Sequence, residues 1–175
     1  YNLIKKLKNI NNLDIYSLSS KFPKKDKRLK KIKYIICDIT NKSKLKKKLS
    51  KKNFDFVINL GGYVDHFNKK KVLDSHFYGC KNLVDIFSKK KISKFVQIGS
   101  CVEYGYSKSP QKENAKIQLK NVYSYYGKAK LKATRYLLKK YKESKFPAII
   151  LRLYITFGPA QDLNRFIPII IDKCL

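Results

Sequence analysis

Short apolar runs alternate with longer lysine-rich segments along the whole chain, and this alternation constrains the fold more than any other feature. Leu13–Leu18, Tyr34–Cys37, Phe54–Leu60, Phe95–Ile98 and Ala148–Leu153 have the length and composition of β-strands. Gly61 and Gly62 stop the third run, and Gly99 follows the fourth. Between them, Ser43–Leu49 reads as a short helix. Lys69–Ser88 carries Val72, Leu73, Phe77, Leu83, Val84 and Phe87 at helical spacing. Val122–Tyr141 reads as a long helix, and Ile167–Leu175 starts another. Tyr106–Asn121 is polar, contains Pro110 and reads as a loop. Strands separated by helices pair in parallel. Right-handed crossovers then give an α/β fold, a doubly wound, Rossmann-like parallel sheet with helices on both faces. The 175 residues suit one domain. The chain opens on what reads as the tail of a helix, Tyr1–Leu7, and closes inside another. No glycine-rich phosphate loop follows a first strand, because a lone Gly61-Gly62 pair is not one. The domain is therefore expected to be truncated at both ends.

The formal charge of +29 invites a nucleic-acid reading. The lysines are spread over most of the chain, however, often in helical stretches such as Lys42–Lys52. Asn, Ile, Tyr and Lys are abundant together while Trp and Met are absent. That pattern describes solvated faces, so no nucleic-acid partner is expected. The charge still raises affinity for phosphate-bearing ligands. The longest apolar runs, Phe146–Tyr154 and Phe166–Ile171, fall short of the ~20 residues that span a bilayer, so no membrane partner is expected. Nothing at the N-terminus has an export pattern, and a cytoplasmic location follows as the expectation. Cys37, Cys80, Cys101 and Cys174 form no CxxC pair, and His66 and His76 are not spaced as metal ligands. Free thiols and no metal are expected.

The first chemical signal is Tyr-x-x-x-Lys on a helix. Residues four apart share a face, so an ammonium can lie beside a phenol and favour phenolate. Such a phenol can exchange a proton with a hydroxyl or carbonyl during hydride transfer. The spacing alone selects little, because Tyr1, Tyr104, Tyr126, Tyr136 and Tyr141 all have Lys four places on. Context selects Tyr126. It starts a helix after a polar loop, it precedes the small residues Gly127 and Ala129, which would let a cofactor approach, and it follows Ser100 by 26 positions. Ser100 lies just past a strand end, where ligands bind in parallel sheets.

Several segments in order carry a resemblance. They are Cys37-Asp38-Ile39-Thr40, Asp55 through Gly62, Gly79-x-x-Asn82-Leu83, Gly99 through Gly105, Tyr126 through Lys130, and Leu151-Arg152 with Phe157-Gly158-Pro159. Together they resemble the extended short-chain dehydrogenase/reductases, the NAD-dependent epimerase/dehydratase family. The resemblance implies Tyr126 as general acid/base and Lys130 on the nicotinamide ribose, depressing the Tyr126 pKa. It implies Ser100 hydrogen-bonded to the reacting oxygen. Asp38 (through its carboxylate) and Ile39 (through its backbone) would flank adenine, and Leu60, Gly61 and Gly62 would pass close to the cofactor ribose and phosphates. It further implies NAD or NADP as cofactor and a nucleotide-sugar substrate. A homodimer would form through Lys69–Ser88 and Val122–Tyr141, unless their apolar positions are simply sheet-facing core. Against this family, the chain lacks the first strand with its Gly-rich loop and most of the C-terminal substrate domain, so it is expected to be inactive alone.

Departures narrow the chemistry. Family dehydratases carry an acid two places before the Tyr of the Tyr-Gly pair, and here Val102 and Cys101 stand at that position and the one before it. Glu103 comes one place late, and on an extended segment it would point elsewhere. This disfavours a 4,6-dehydratase and leaves an epimerase or 4-ketoreductase working by hydride transfer at C4. His76 stands where the family usually has Asn, as a similar hydrogen-bonding group or as a plain buried or surface histidine. Ile155 replaces a frequent polar residue. The second strand of the family fold ends Ser17-Leu18-Ser19-Ser20-Lys21 without the acid that binds a ribose 2′-OH, which tilts the cofactor toward NADP, unless Lys21 is one more surface lysine. A non-catalytic NAD(P)-binding Rossmann protein is the alternative.

Overall fold

The computed structural model describes residues 1–158 and 161–174. Its strands are β1 (Ile15–Ser19), β2 (Ile32–Ile36), β3 (Phe56–Asn59), β4 (Lys94–Ser100) and β5 (Ala148–Leu153). Its α-helices are α1 (Asn2–Leu7), α2 (Lys42–Leu49), α3 (Lys69–Leu73), α4 (Cys80–Phe87), α5 (Tyr125–Ser144) and α6 (Phe166–Cys174). All strand pairs are parallel: β1 with β2 in one sheet, and β3-β4-β5 in another. The alternation read from the sequence is thus a parallel, Rossmann-like α/β fold.

Register and pleat decide which face is covered. Val57, Phe95 and Ala148 lie side by side across the three strands, as do Asn59, Gln97 and Ile150. Phe95 is fully buried and joins one core with Leu45 and Leu49 of α2, Leu83, Val84 and Phe87 of α4, and Ala133 and Leu137 of α5. These three helices therefore share one face of the sheets. On the alternate positions, Phe56 is 63 % exposed, and Ile58, Ile149, Leu151 and Leu153 are 40–42 % exposed. Neither α1 nor α6 contributes a buried residue, so among the described residues the second face is covered less than the first.

Boundaries differ from expectation for local reasons. The helix expected from Val122 begins at Tyr125, because Ser124 caps it by accepting from the Gly127 amide at 2.9 Å. Val122 instead enters a small core with Tyr104, Ile117 and Leu131 that pins the polar loop. Lys69–Ser88 is helical but not uniform: a π turn, Asp74–Gly79, separates α3 from α4. Among the described residues, no helix is long and apolar enough to cross a membrane.

Candidate active site

The strand ends carry the candidate residues. Asp38 follows β2, Leu60, Gly61 and Gly62 follow β3, and Ser100 ends β4. Asp38, Leu60, Gly61 and Gly62 are exposed. Asp38 is shaped by its own turn, its carboxylate accepting from the Thr40 amide at 2.8 Å. Ile39 packs its side chain on Gly79, where a Cβ would come within 2.6 Å of Cδ1, and on Gly61, where it would come within 3.3 Å. Asn82 donates to the Ile39 carbonyl at 2.9 Å and to the Thr40 carbonyl at 3.2 Å.

A buried polar chain supports the centre. Asn59 donates to Gln97 at 2.7 Å and accepts from the Gly61 amide at 3.1 Å. The Ile98 carbonyl accepts from Gln97 at 2.9 Å and from Lys130 Nζ at 2.7 Å. Lys130 is 4 % exposed, and burial pushes its pKa down against the pull of Glu103 and Cys80. Its ammonium lies 5.6 Å from the centre of the Tyr126 ring. Burial pushes the Tyr126 phenol up, while the neighbouring Ser100 hydroxyl pulls it down. Desolvation outweighs the favourable contacts and leaves the Tyr126 phenol above its ordinary value, while the Lys130 ammonium donates to the Ile98 carbonyl and keeps further donors.

Two expectations are corrected. Gly127 and Ala129 are buried and admit no ligand. A Cβ at Gly127 would meet Val122 Cγ1 at 2.7 Å and the Val102 carbonyl at 2.9 Å, so its smallness serves the packing of α5 on the turn before it. Cys101–Tyr104 is not extended but a 3-10 turn, and Glu103 points inward, fully buried. Its carboxylate accepts from the Ser100 amide at 2.9 Å, from Thr134 Oγ1 at 2.7 Å and from Arg152 Nε at 3.3 Å. These contacts tie β4, α5 and β5 together behind Ser100.

Sequence reasoning missed His66. Its ring stacks on Tyr126 with centroids 4.2 Å apart and planes 14° from parallel. Spacing gave no signal for this contact, because His66 arrives on the loop between β3 and α3. His76, from the π turn, meets Tyr126 edge-on at 4.9 Å. Burial first, then Lys130, holds His76 down at about 4. Cys80, beneath the site, is pushed up to about 12 by burial and stays a thiol. Pro159 of the Phe157–Pro159 segment lies outside the described residues.

The family model described as NAD dependent epimerase/dehydratase family matches residues 1–175. The chain belongs to the NAD-dependent epimerase/dehydratase family. Solved structures agree on the fold. A dTDP-glucose 4,6-dehydratase from Bacillus anthracis, in complex with NAD, is 18% identical with a TM-score of 0.80, over 99% of this chain and 56% of that one. A UDP-glucuronic acid 4-epimerase from Bacillus cereus, also with NAD, is 19% identical with a TM-score of 0.78, over 99% and 58%. A UDP-glucose 4-epimerase from Thermotoga maritima, with UDP-glucose, is 18% identical with a TM-score of 0.81, over 94% and 54%. The chain thus spans a little over half the length of these structures. No curated protein sequence matches it.

Proposed function

We propose that this chain is the cofactor-binding and proton-transfer half of an NAD(P)-dependent nucleotide-sugar epimerase or 4-ketoreductase. The observation that carries this reading is the grouping of Ser100, Tyr126 and Lys130 at the carboxyl end of β4, with Lys130 buried and anchored at 2.7 Å to the Ile98 carbonyl. The residues fit a dinucleotide. Asp38 and Ile39 would flank the adenine, Leu60, Gly61 and Gly62 leave backbone open beside the ribose and phosphates, and Lys130 would hold the nicotinamide ribose. When bound, NAD or NADP supplies reversible hydride acceptance. Tyr126 Oη takes the proton of the sugar hydroxyl as it becomes a carbonyl and returns it in the reverse step. Ser100 holds the reacting oxygen.

An epimerase or reductase is favoured over a dehydratase because Cys101 and Val102 carry no acid and Glu103 is locked in the network behind Ser100. Exposed Ser20 and Lys21, beyond the end of β1, are available to a 2′-phosphate. A homodimer through the two helical segments is part of the reading, with Tyr78 and Leu138 on their exposed faces. The test is turnover of UDP-glucose and UDP-glucuronic acid with NAD+ or NADP+ by the complete gene product, with Tyr126→Phe as control. Epimerisation or reduction that vanishes in the variant supports the reading, and full activity in the variant sinks it. The raised Tyr126 phenol is the observation that favours a second reading, a non-catalytic NAD(P)-binding protein. That reading expects cofactor binding without turnover of any nucleotide sugar.

A further inference from the structure

The two rings against Tyr126 are themselves held differently. His76 is buried and meets the phenol edge-on. Its Nε2 donates to the Tyr63 carbonyl at 3.1 Å, and its ring fills the space over Gly62, where a Cβ would come within 2.0 Å of Cε1. His66 meets the phenol face-on, from the exposed loop after β3. That loop is tied at three points. The Tyr63 amide donates to Ser75 Oγ, the Asp65 carboxylate accepts from the Phe67 amide, and the Asn68 side chain accepts from the Lys71 amide, each at 3.0 Å. The Asp65 turn closes around His66 itself. Phe67 is left 95 % exposed and Val64 67 % exposed, while the imidazole between them lies on the phenol. Apolar burial would favour Phe67 in that place. The turn, not apolarity, therefore decides which side chain reaches Tyr126.

We propose that His66 is a positioning residue for proton transfer at Tyr126: stacked on the phenol, it fixes the plane of the ring and so the direction in which Oη meets the reacting hydroxyl. The proposal rests on the reading of Tyr126 as the proton-transfer group. The His66 and His76 rings are inclined 74° to each other, so together they restrain the phenol against tilting in both directions. The restraint matters because a displacement of about 1 Å at a reacting atom can cost about a hundredfold in rate. The contact is also uncharged at neutral pH. Burial first, then Arg165 from the segment before α6 and Lys130 from α5, push the His66 imidazole below its ordinary value, against Asp65 on its own loop. His76, on the π turn, is held at about 4 and brings no charge either. His66 thus orients the phenol without placing a cation on its face.

Steady-state turnover of UDP-glucose and UDP-glucuronic acid by the complete gene product, with NAD+ or NADP+, is the first measurement. His66 belongs to neither buried core, so its variants keep the fold. His66→Ala should lower kcat about tenfold, the rate equivalent of one aromatic pair, and leave KM for the sugar within about twofold. His66→Phe, which restores a flat ring, should recover kcat to within about threefold. An unchanged kcat in His66→Ala overturns the proposal. So does a loss carried by KM, which would make His66 a ligand contact, and so does a Phe variant as slow as the Ala variant. The second measurement needs no turnover. In protein labelled at tyrosine 13Cζ, with the signal assigned through Tyr126→Phe, the Tyr126 resonance should follow pH with the midpoint of the His66 ring. His66→Phe should remove that step and keep the one from His76 at about 4. A Tyr126 resonance blind to His66, in a protein that turns over sugar, overturns the proposal and leaves the parent reading standing. A His66 step in a protein that turns over neither sugar sinks the parent reading, and the positioning role with it.

Discussion

Helix α5 carries the same Tyr-x-x-x-Lys spacing twice, and the two copies have opposite fates. Tyr126 and Lys130, in its first turns, face the strand ends. Tyr136 and Lys140, ten residues on, face α4 and solvent. Tyr136 donates its phenol proton to Asp85, and Asp85 also accepts from Lys81 at 2.8 Å and Lys42 at 3.1 Å. Burial and that carboxylate together push the Tyr136 phenol far up. Lys140 pairs with Glu143 at 3.1 Å on the surface. Near Tyr126 the carboxylate of Glu103 is spent on three other donors, and the ring is flanked by two imidazoles instead. The spacing brings a phenol and an ammonium onto one helical face. What the rest of the fold places opposite that face decides whether the phenol is a structural donor or is free for a substrate.

This contrast can be broken experimentally. The largest effect is expected on turnover. Tyr126→Phe should lower kcat by ~10²–10⁴, the usual worth of a positioned proton-transfer group, while Tyr136→Phe should leave kcat within about twofold. Equal losses in the two variants would show that the copies are not functionally distinct. Next comes stability. Glu103→Ala strands Arg152, Thr134 and the Ser100 amide, and urea unfolding should show a loss of about 3 kcal/mol. Glu143→Ala, at the second copy, should leave the unfolding curve in place.

A smaller effect is expected at Asp85. Burial raises its pKa, but the bonds from Lys81, Tyr136 and Lys42 overcome this and bring it to about 2, below the ordinary 3.8. Because the folded value is depressed, the stabilisation is complete above the ordinary pKa and is lost as pH falls through about 2. Tyr136→Phe should cost about 1 kcal/mol at neutral pH. The gap between it and the natural protein should narrow as pH falls from about 4 to about 2 in acid-unfolding curves. Lys140→Met should shift stability by less than ~1 kcal/mol, since it breaks an exposed pair with Glu143 and a cation–π contact 5.7 Å from the centre of the Tyr136 ring.

The strands and helices were legible because burial on a pleated or helical face leaves a period in the sequence. The strand ends read at Leu60 and Ile98 fall within one or two residues of the observed Asn59 and Ser100, so the place of the candidate residues along the sheet was legible as well. What stayed hidden depends on contacts between segments distant in sequence. The inward turn of Glu103 requires Thr134 and Arg152 to be waiting for it, and neither is its neighbour in sequence. His66 meets Tyr126 from a loop with no periodicity. The smallness of Gly127 was read as room for a ligand, when the space is taken by Val122. The thinner cover of the second face was not legible either, since an apolar strand position looks the same whether or not a helix covers it.

The π turn at Asp74–Gly79 also has a genetic consequence. A widened turn of this kind amounts to one residue more than a regular helix would hold. Loss of one codon after His76, at Phe77 or Tyr78, would restore ordinary winding and turn His76 by about 100° relative to the helix that follows. The imidazole would leave Gly62 and Tyr126 in one step, while the core face of α4 kept its phase. At this place in the gene, an in-frame deletion is a larger change to the site than most substitutions, and one that a count of conserved residues would not register.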